Sequence, residues 1–214
     1  MTYPSRIRLV LRTRERTSMI LPDETGAGDL LASEALRQEK ADRTTFMALP
    51  RRPLTVVLDR VRHNYNIGAI FRLCDAFLVE RLVIAGMDVD LRKRRLVQAA
   101  QGTQRWVPWD MVEDATSFVS AARASGAHVI VVEQTDAGRE PQDIEPVFPI
   151  CLVLGSENAG VSKEIVDMAH GAVTIPMLGM ANSINVATAA AITLHHLSLR
   201  FDLRRAVHDP SEAS

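Results

Sequence analysis

The sequence predicts an α/β protein with a mostly parallel sheet and helices on both faces. Strand-length runs rich in Val, Ile and Leu recur at residues 54–59, 81–86, 128–133, 150–154 and 172–175. Helix-patterned segments stand between them, and that alternation indicates parallel strands joined by crossovers. The last two runs each feed a loop of small and polar residues that continues into a helical pattern, and open α/β sheets bind ligands in loops of this kind.

Taken in order, residues 1–27 alternate weakly at Ile7, Leu9 and Leu11 and then turn polar, which reads as an arm. Asp29 is placed to cap a helix running to about Asp42. Arg51-Arg52-Pro53 marks a boundary, because the residue before proline is pushed out of helical geometry. The expected organisation is a basic N-terminal arm with a short helix over 1–53, one α/β domain over 54–200 and a tail over 201–214. Within the domain, 67–77 reads as a helix with Ile67, Ile70, Phe71, Cys74 and Phe77 on one face. A short helix is expected over 91–100, an edge strand limited by Pro108 over 104–109, and a helix over 115–126 ended by Gly126. Residues 135–146 are polar and read as a surface loop.

Composition bounds the function loosely. Hydrophobic residues make up 47% and charged residues 24%, with a formal net charge of -1, as in an ordinary globular protein with one core. Global charge therefore names no partner. Residues 1–53 hold ten Arg or Lys against seven Asp or Glu, so a basic arm is either a nucleic-acid contact or a solvated tail. Cys74 and Cys151 are far apart and form no CxxC pair, which indicates neither a zinc site nor a disulfide framework. Both read as small core residues, and a reducing cytoplasm fits. The N-terminus lacks the apolar run of a secretory signal, no segment reaches the length of a membrane span, and Glu15, Asp23 and Glu24 argue against a transit peptide.

Three loops carry the chemistry. In the first, Gly155 to Ser162, the glycines have the spacing of a phosphate-binding loop, but Val161 stands where that motif needs Lys, which argues against an ATPase. The glycines serve either a ligand's close approach or the strand-to-helix turn. Glu157 is the one acid there and could cap the following helix. In the second loop, Asn182-Ser183-Ile184-Asn185 opens a helix, and Ser183 reads either as its N-cap or as a fixed polar contact for a ligand. In the third, 63–72, Arg72 interrupts an apolar helix face, as a snorkelling side chain or as a clamp for phosphate or carboxylate, and His63 alone reads as a loop residue.

Together these segments resemble the SpoU/TrmH-type RNA ribose 2′-O-methyltransferases of the SPOUT superfamily. The family's first motif is matched by Asn66-Ile67-Gly68-Ala69-Ile70-Phe71-Arg72. Its next motif resembles Leu152 to Gly160 followed by Ile175-Pro176-Met177, and its last resembles Ser183-Ile184-Asn185-Val186. Any one would be weak, but three in the family order over roughly residues 54–200 make a specific match. The resemblance implies a deep C-terminal trefoil knot that binds S-adenosylmethionine, methylation of a ribose 2′-hydroxyl in tRNA or rRNA, no metal, and a homodimer. It implies cofactor contacts at Leu154, Gly155, Ile175, Met177 and Ile184. Asn66, Glu157, Ser183 and Asn185 would be polar active-site residues, and Arg72 the catalytic arginine. Arg92, Lys93, Arg94 and Arg95 read either as a solvated helix face or as RNA contacts, and under the resemblance they, with Arg12 and Arg14 of the arm, are the expected RNA contacts. Ile184 stands where the family usually has Leu, and Ala187-Thr188 where it often has Ser-Val. The N-terminal segment is short for a separate RNA-binding domain, which leaves the substrate open. The competing class is a non-catalytic RNA-binding or ribosome-assembly protein on the same fold.

Overall fold

The structure is a computed structural model that describes residues 43–47 and 49–201. The chain divides between Leu49 and Pro50 into two compact units. The first contributes a five-residue helix, Arg43–Met47, to the described part. The arm, the helix expected over 29–42, Arg12, Arg14 and nearly all of the tail lie outside the described residues.

The second unit is built on six parallel strands: β1 Arg52–Asp59, β2 Val79–Ala85, β3 Trp109–Val112, β4 His128–Val132, β5 Ile150–Gly155 and β6 Gly171–Val173. Their spatial order is β3-β2-β1-β5-β4-β6. Among the unit's described residues five helices accompany them: α1 Asn64–Ala76, α2 Arg94–Ala100, α3 Ala115–Ala124, α4 Lys163–Met168 and α5 Val186–Arg200.

The strands read as continuous apolar runs because both faces of the sheet are covered. Leu54, Val56, Leu58, Leu152 and Leu154 point to one face, against Ile67, Ile70 and Phe71 of α1, Leu96 of α2 and Leu194 of α5. Val57, Val83, Val131, Cys151 and Val153 point to the other, against Val119 of α3 and Ile165 of α4. Both cysteines are buried free thiols, as expected of core residues, and burial pushes the Cys151 thiol up to about 12.

Local chemistry sets the element ends. The Asp114 carboxylate accepts from the Ser117 N–H at 2.7 Å and opens α3, and Gly126, at φ 93°, closes it just beyond the C-cap. The edge strand expected over 104–109 is instead a 3₁₀ turn, Thr103–Arg105, and the strand begins at Trp109. Trp106 is drawn inward by its Nε1 donating to Asp75 Oδ1 at 2.6 Å, and Pro108, which has no N–H for a ladder, precedes the strand and offers its carbonyl to the Leu82 N–H at 3.0 Å. The helix expected over 91–100 begins only at Arg94, after a turn in which Asp90 accepts from the Arg92 N–H.

Gly68 lets α1 and α2 touch. A Cβ there would lie 2.4 Å from the Leu96 carbonyl oxygen and 2.8 Å from the Ala99 Cβ. Gly68→Ala gains about 1 kcal/mol of helix propensity but, with a backbone oxygen only 2.4 Å away that cannot swing aside, overpacks at about 2–3 kcal/mol, the upper part of the ordinary range. The variant is expected to be less stable by about 1–2 kcal/mol in urea unfolding; equal stability would mean that the two helices separate freely.

Candidate active site

Because every strand is parallel, the loops that follow β4, β5 and β6 emerge at the same carboxyl edge of the sheet. They enclose a cavity of about 720 Å³. Its apolar wall comes from Leu154, Val173, Ile175, Ile184 and Val186, and its polar groups include Glu133, Glu157, Ser183 and Asn185.

The glycine loop after β5 is a tight closed turn. Ser156 and Gly160 exchange backbone hydrogen bonds of 3.1 and 2.9 Å, and Gly160 takes a φ of 66°. A Cβ on Gly155 would meet Gly160 C and Val161 N, both at 2.1 Å. Of their two possible roles, the glycines therefore serve the turn first. Glu133, at the end of β4, clamps the turn from outside by accepting from the Val161 N–H at 2.9 Å.

Glu157 does not cap α4. Ser162 stands at that N-cap, and its own side chain is spent on Asp59, donating to Oδ2 at 2.6 Å. Asp59 is 1% exposed; burial raises its pKa, but hydrogen bonds from Arg60 and Ser162 outweigh that and hold it below the ordinary carboxylate value. The result is a fixed joint between the ends of β1 and β5.

Glu157 instead reaches the start of α1. Its Oε2 accepts from the Arg62 N–H at 3.2 Å, and its Oε1 from the His63 N–H at 3.3 Å, His63 Nδ1 at 2.8 Å and Asn66 Nδ2 at 2.8 Å. A carboxylate is thus supplied to a helix N-terminus from another loop. Burial opposes its charge, but its own N–H, Asn66, His63 and Arg62 prevail and bring its pKa down to about 2.

Asn66 continues the chain of contacts. Its Oδ1 accepts from Asn185 Nδ2 at 2.9 Å, which fixes the orientation of both amides. Asn185, not Ser183, is the N-cap of α5, accepting from the Ala187 N–H at 2.9 Å. Ser183 lines the cavity without capping anything. Three segments distant in sequence are joined here by side-chain hydrogen bonds.

Of the expected site residues, the structure brings together Asn66, Glu157, Ser183, Asn185, Leu154, Gly155, Ile175 and Ile184. Met177 is half-buried and stands outside the cavity lining. Arg72 is exposed, about 9 Å along α1 from Asn66 and about 240° around its axis, and among the described residues it makes no hydrogen bond or ion pair. Asn66 therefore orients Glu157 and Asn185, not Arg72. Arg92, Lys93, Arg94 and Arg95 form an exposed basic run on the approach to and first turn of α2, with Arg92 Nε held by Asp90 Oδ1 at 2.9 Å. Sequence reasoning missed His63, Glu133 and Gln134, whose Nε2 donates to the Ile175 carbonyl at 2.8 Å. For Glu133 a signal existed: it is the first acid after an apolar strand, at the edge where such sheets bind.

This fold and site define an α/β protein with a cavity at the carboxyl edge of a parallel sheet, where such sheets take ligands, with one apolar wall and a polar border that an ordered amide–carboxylate chain supports. The SpoU rRNA Methylase family model matches residues 53–195, and the chain belongs to that family. It is 29% identical over 154 residues to the tRNA (guanosine(18)-2′-O)-methyltransferase of Escherichia coli K12, covering 72% of this chain and 66%, just under two thirds, of that protein. It is similar to the crystal structure of the Aquifex aeolicus TrmH/SpoU tRNA modifying enzyme at a TM-score of 0.70 and 26% identity, covering 83% of this chain and 88% of that one. It is also similar to the SpoU methyltransferase AviRb of Streptomyces viridochromogenes, solved in complex with the cofactor AdoMet, at a TM-score of 0.59 and 28% identity, covering 78% and 63%.

Proposed function

We propose that this protein methylates a ribose 2′-hydroxyl in tRNA or rRNA, using S-adenosylmethionine. The observation that carries the reading is the Glu157–Asn66–Asn185 chain beside a cavity of suitable size, apolar along one wall and polar along the other, in a member of this family.

The residues present suit the cofactor. The wall of Leu154, Val173, Ile175, Ile184 and Val186 fits an aromatic base and the alkyl carbons of a sulfonium, and Glu133 and Glu157 border it with negative charge that suits a cation. When bound, the cofactor supplies a methyl group on a positively charged sulfur. The work of the chain is to hold hydroxyl and methyl in line, which supplies about 7–11 kcal/mol, whereas a positioned base adds about 10²–10⁴-fold. Asn185 and Ser183 place the ribose edge, with Asn66 fixing the Asn185 amide from behind, and the knot expected of the family would close the 173–186 return around the cofactor.

Arg72 grips a phosphate of the RNA and steadies the developing alkoxide through its planar fork of N–H donors. Exposed and outside the cavity lining of its own chain, it suits an active homodimer. Leu178 and Met180, 99% and 100% exposed on the loop between β6 and α5, give such a dimer an apolar surface to cover. Lys93, Arg94 and Arg95, with Arg92 and with Arg12 and Arg14 of the arm, supply the phosphate contacts. No described helix is long and apolar enough to cross a membrane, and a cytoplasmic setting suits two free thiols.

Transfer of tritiated methyl from S-adenosylmethionine to undermodified total RNA, followed by nucleoside mapping, tests the reading and names the substrate. No incorporation into any RNA would sink it. In the same assay Arg72→Lys keeps the charge but loses the bidentate fork, and a loss of about tenfold or more is expected; a wild-type rate would exclude the clamp.

A further inference from the structure

The sheet order places β5 between β1 and β4, and a carboxylate stands at the end of each neighbour. Asp59, the last residue of β1, is paired with Gly155. Val132, the last of β4, is paired with Leu154, so Glu133, one residue on, comes level with Gly155 from the other side. From there the two acids hold consecutive residues at the far end of the glycine turn. Glu133 Oε2 accepts from the Val161 N–H at 2.9 Å, and Asp59 Oδ2 accepts from the Ser162 N–H at 2.8 Å and from its hydroxyl at 2.6 Å. Gly155 to Val161 all line the cavity, whereas Asp59 and Ser162 stand behind that lining. The Asp59 side also holds strained backbone. Arg60 takes a φ of 57°, a left-handed conformation that disfavours a residue with a Cβ. Its guanidinium folds back over Asp59, with Nε 2.9 Å from Oδ1, and its Nη2 donates to the Ser162 hydroxyl oxygen at 2.7 Å. Gly86 leaves room for this turn, since a Cβ there would lie 2.8 Å from the Arg60 Cγ. Strain kept for a contact 102 residues away points to a role at the site.

We propose that Asp59 is a positioning residue for the cofactor: acting through Ser162, it fixes, together with Glu133, the wall that the glycine turn presents to S-adenosylmethionine, and so sets cofactor affinity. This rests on the methyltransferase function proposed for the same site. A turn gripped from one side only can pivot about that grip, and residues 158–161 along the cavity move with it. A wall that must first be ordered binds its ligand more weakly. Glu157 is fixed separately, by the N–H groups of Arg62 and His63 and by Asn66, so the polar edge keeps its place once the cofactor is bound. The signature of the grip is therefore a change in cofactor affinity and KM without a change in kcat.

Wild type, Asp59→Asn, Ser162→Ala and Ser162→Thr are compared by calorimetric titration with S-adenosylmethionine and by methyl transfer to undermodified RNA, at a temperature where each is folded. Ser162→Ala removes the hydroxyl from the joint, and Ser162→Thr keeps it. Losing a hydrogen bond to a charged group is enough for about a tenfold effect. Asp59→Asn and Ser162→Ala should raise the cofactor Kd and KM about tenfold and leave kcat at saturating cofactor within about twofold, while Ser162→Thr binds like wild type. In the cofactor-free protein, the Val161 amide should exchange its hydrogen faster in Ser162→Ala. Should Asp59→Asn fail to fold, the two serine variants decide. A Ser162→Ala protein that melts earlier but binds cofactor like wild type overturns the proposal, and so does a loss confined to kcat. A wild type that binds no S-adenosylmethionine overturns the methyltransferase reading and the grip with it. A wild type that binds it but methylates no RNA overturns that reading alone, because the affinities still decide the grip.

Discussion

Glu157→Gln is expected to lower the methyl-transfer rate by about 10²-fold and folding stability by about 1–3 kcal/mol. The two carboxylate oxygens receive only donors: the N–H groups of Arg62 and His63, the Asn66 amide and the His63 imidazole. Glutamine has nearly the same shape but one oxygen. Its amide NH₂ must then face at least one of these donors, either the exposed Arg62 N–H or the set at Oε1, part-buried at Asn66, and a hydrogen bond to a charged acceptor is lost in either case. The start of α1 shifts, Asn66 loses the partner that fixes its flip, and Asn185 follows. A displacement of about 1 Å at groups that align reactants is enough for a loss of the stated size. Single-turnover rates and denaturant melts check both parts. A variant with wild-type rate and stability would show that shape alone, not charge, holds the α1 terminus.

The same residue gives the acid limb of stability a definite sign. Glu157 has a folded pKa of about 2, below its ordinary 4.5, so the unfolded chain takes up a proton first as pH falls. Its contribution is complete above about pH 4.5 and is lost between there and about pH 2. Asp59, also held below its ordinary value, acts in the same direction. In Glu157→Gln the acid-induced loss of stability should be shallower across that window, because one of the groups that drives it is gone.

Much of the fold was legible because burial on both sheet faces writes strands as unbroken Val, Ile and Leu runs. What was not legible depends on partners distant in sequence. Helix α1 begins at Asn64, three residues before the apolar pattern, because Glu157 satisfies its first turn from 91 residues beyond Asn66. The sequence suggests a cap at Glu157, and the chemistry is right, but the helix is α1 and not α4. Likewise Asn185 takes the cap that Ser183 could have filled, because its amide must also meet Asn66. The basic run 92–95 and Arg72 lie apart from the cavity within one chain, and no spacing along the sequence could have told that.

Gly155→Ala is expected to abolish cofactor binding and to destabilise the protein by about 3 kcal/mol, the upper end of ordinary overpacking. The reason is what the new methyl would meet. Both nearest atoms, Gly160 C and Val161 N at 2.1 Å, are backbone, so no side chain can swing away. The Ser156–Gly160 turn would have to open, breaking its pair of backbone hydrogen bonds and pulling the Val161 N–H from Glu133. Those groups form one wall of the cavity, and Leu154, the residue before, forms another part. Backbone strain of this kind spreads along the site, which is why the expected loss of binding exceeds the loss of stability. Gly179→Ala is the control: a Cβ there meets nothing within 4 Å, and the change should stay within about 0.5 kcal/mol. Calorimetric titration with S-adenosylmethionine and urea unfolding separate the two effects. If Gly155→Ala binds cofactor like the control, the turn is more pliable than its hydrogen bonds indicate, and the cavity does not depend on it.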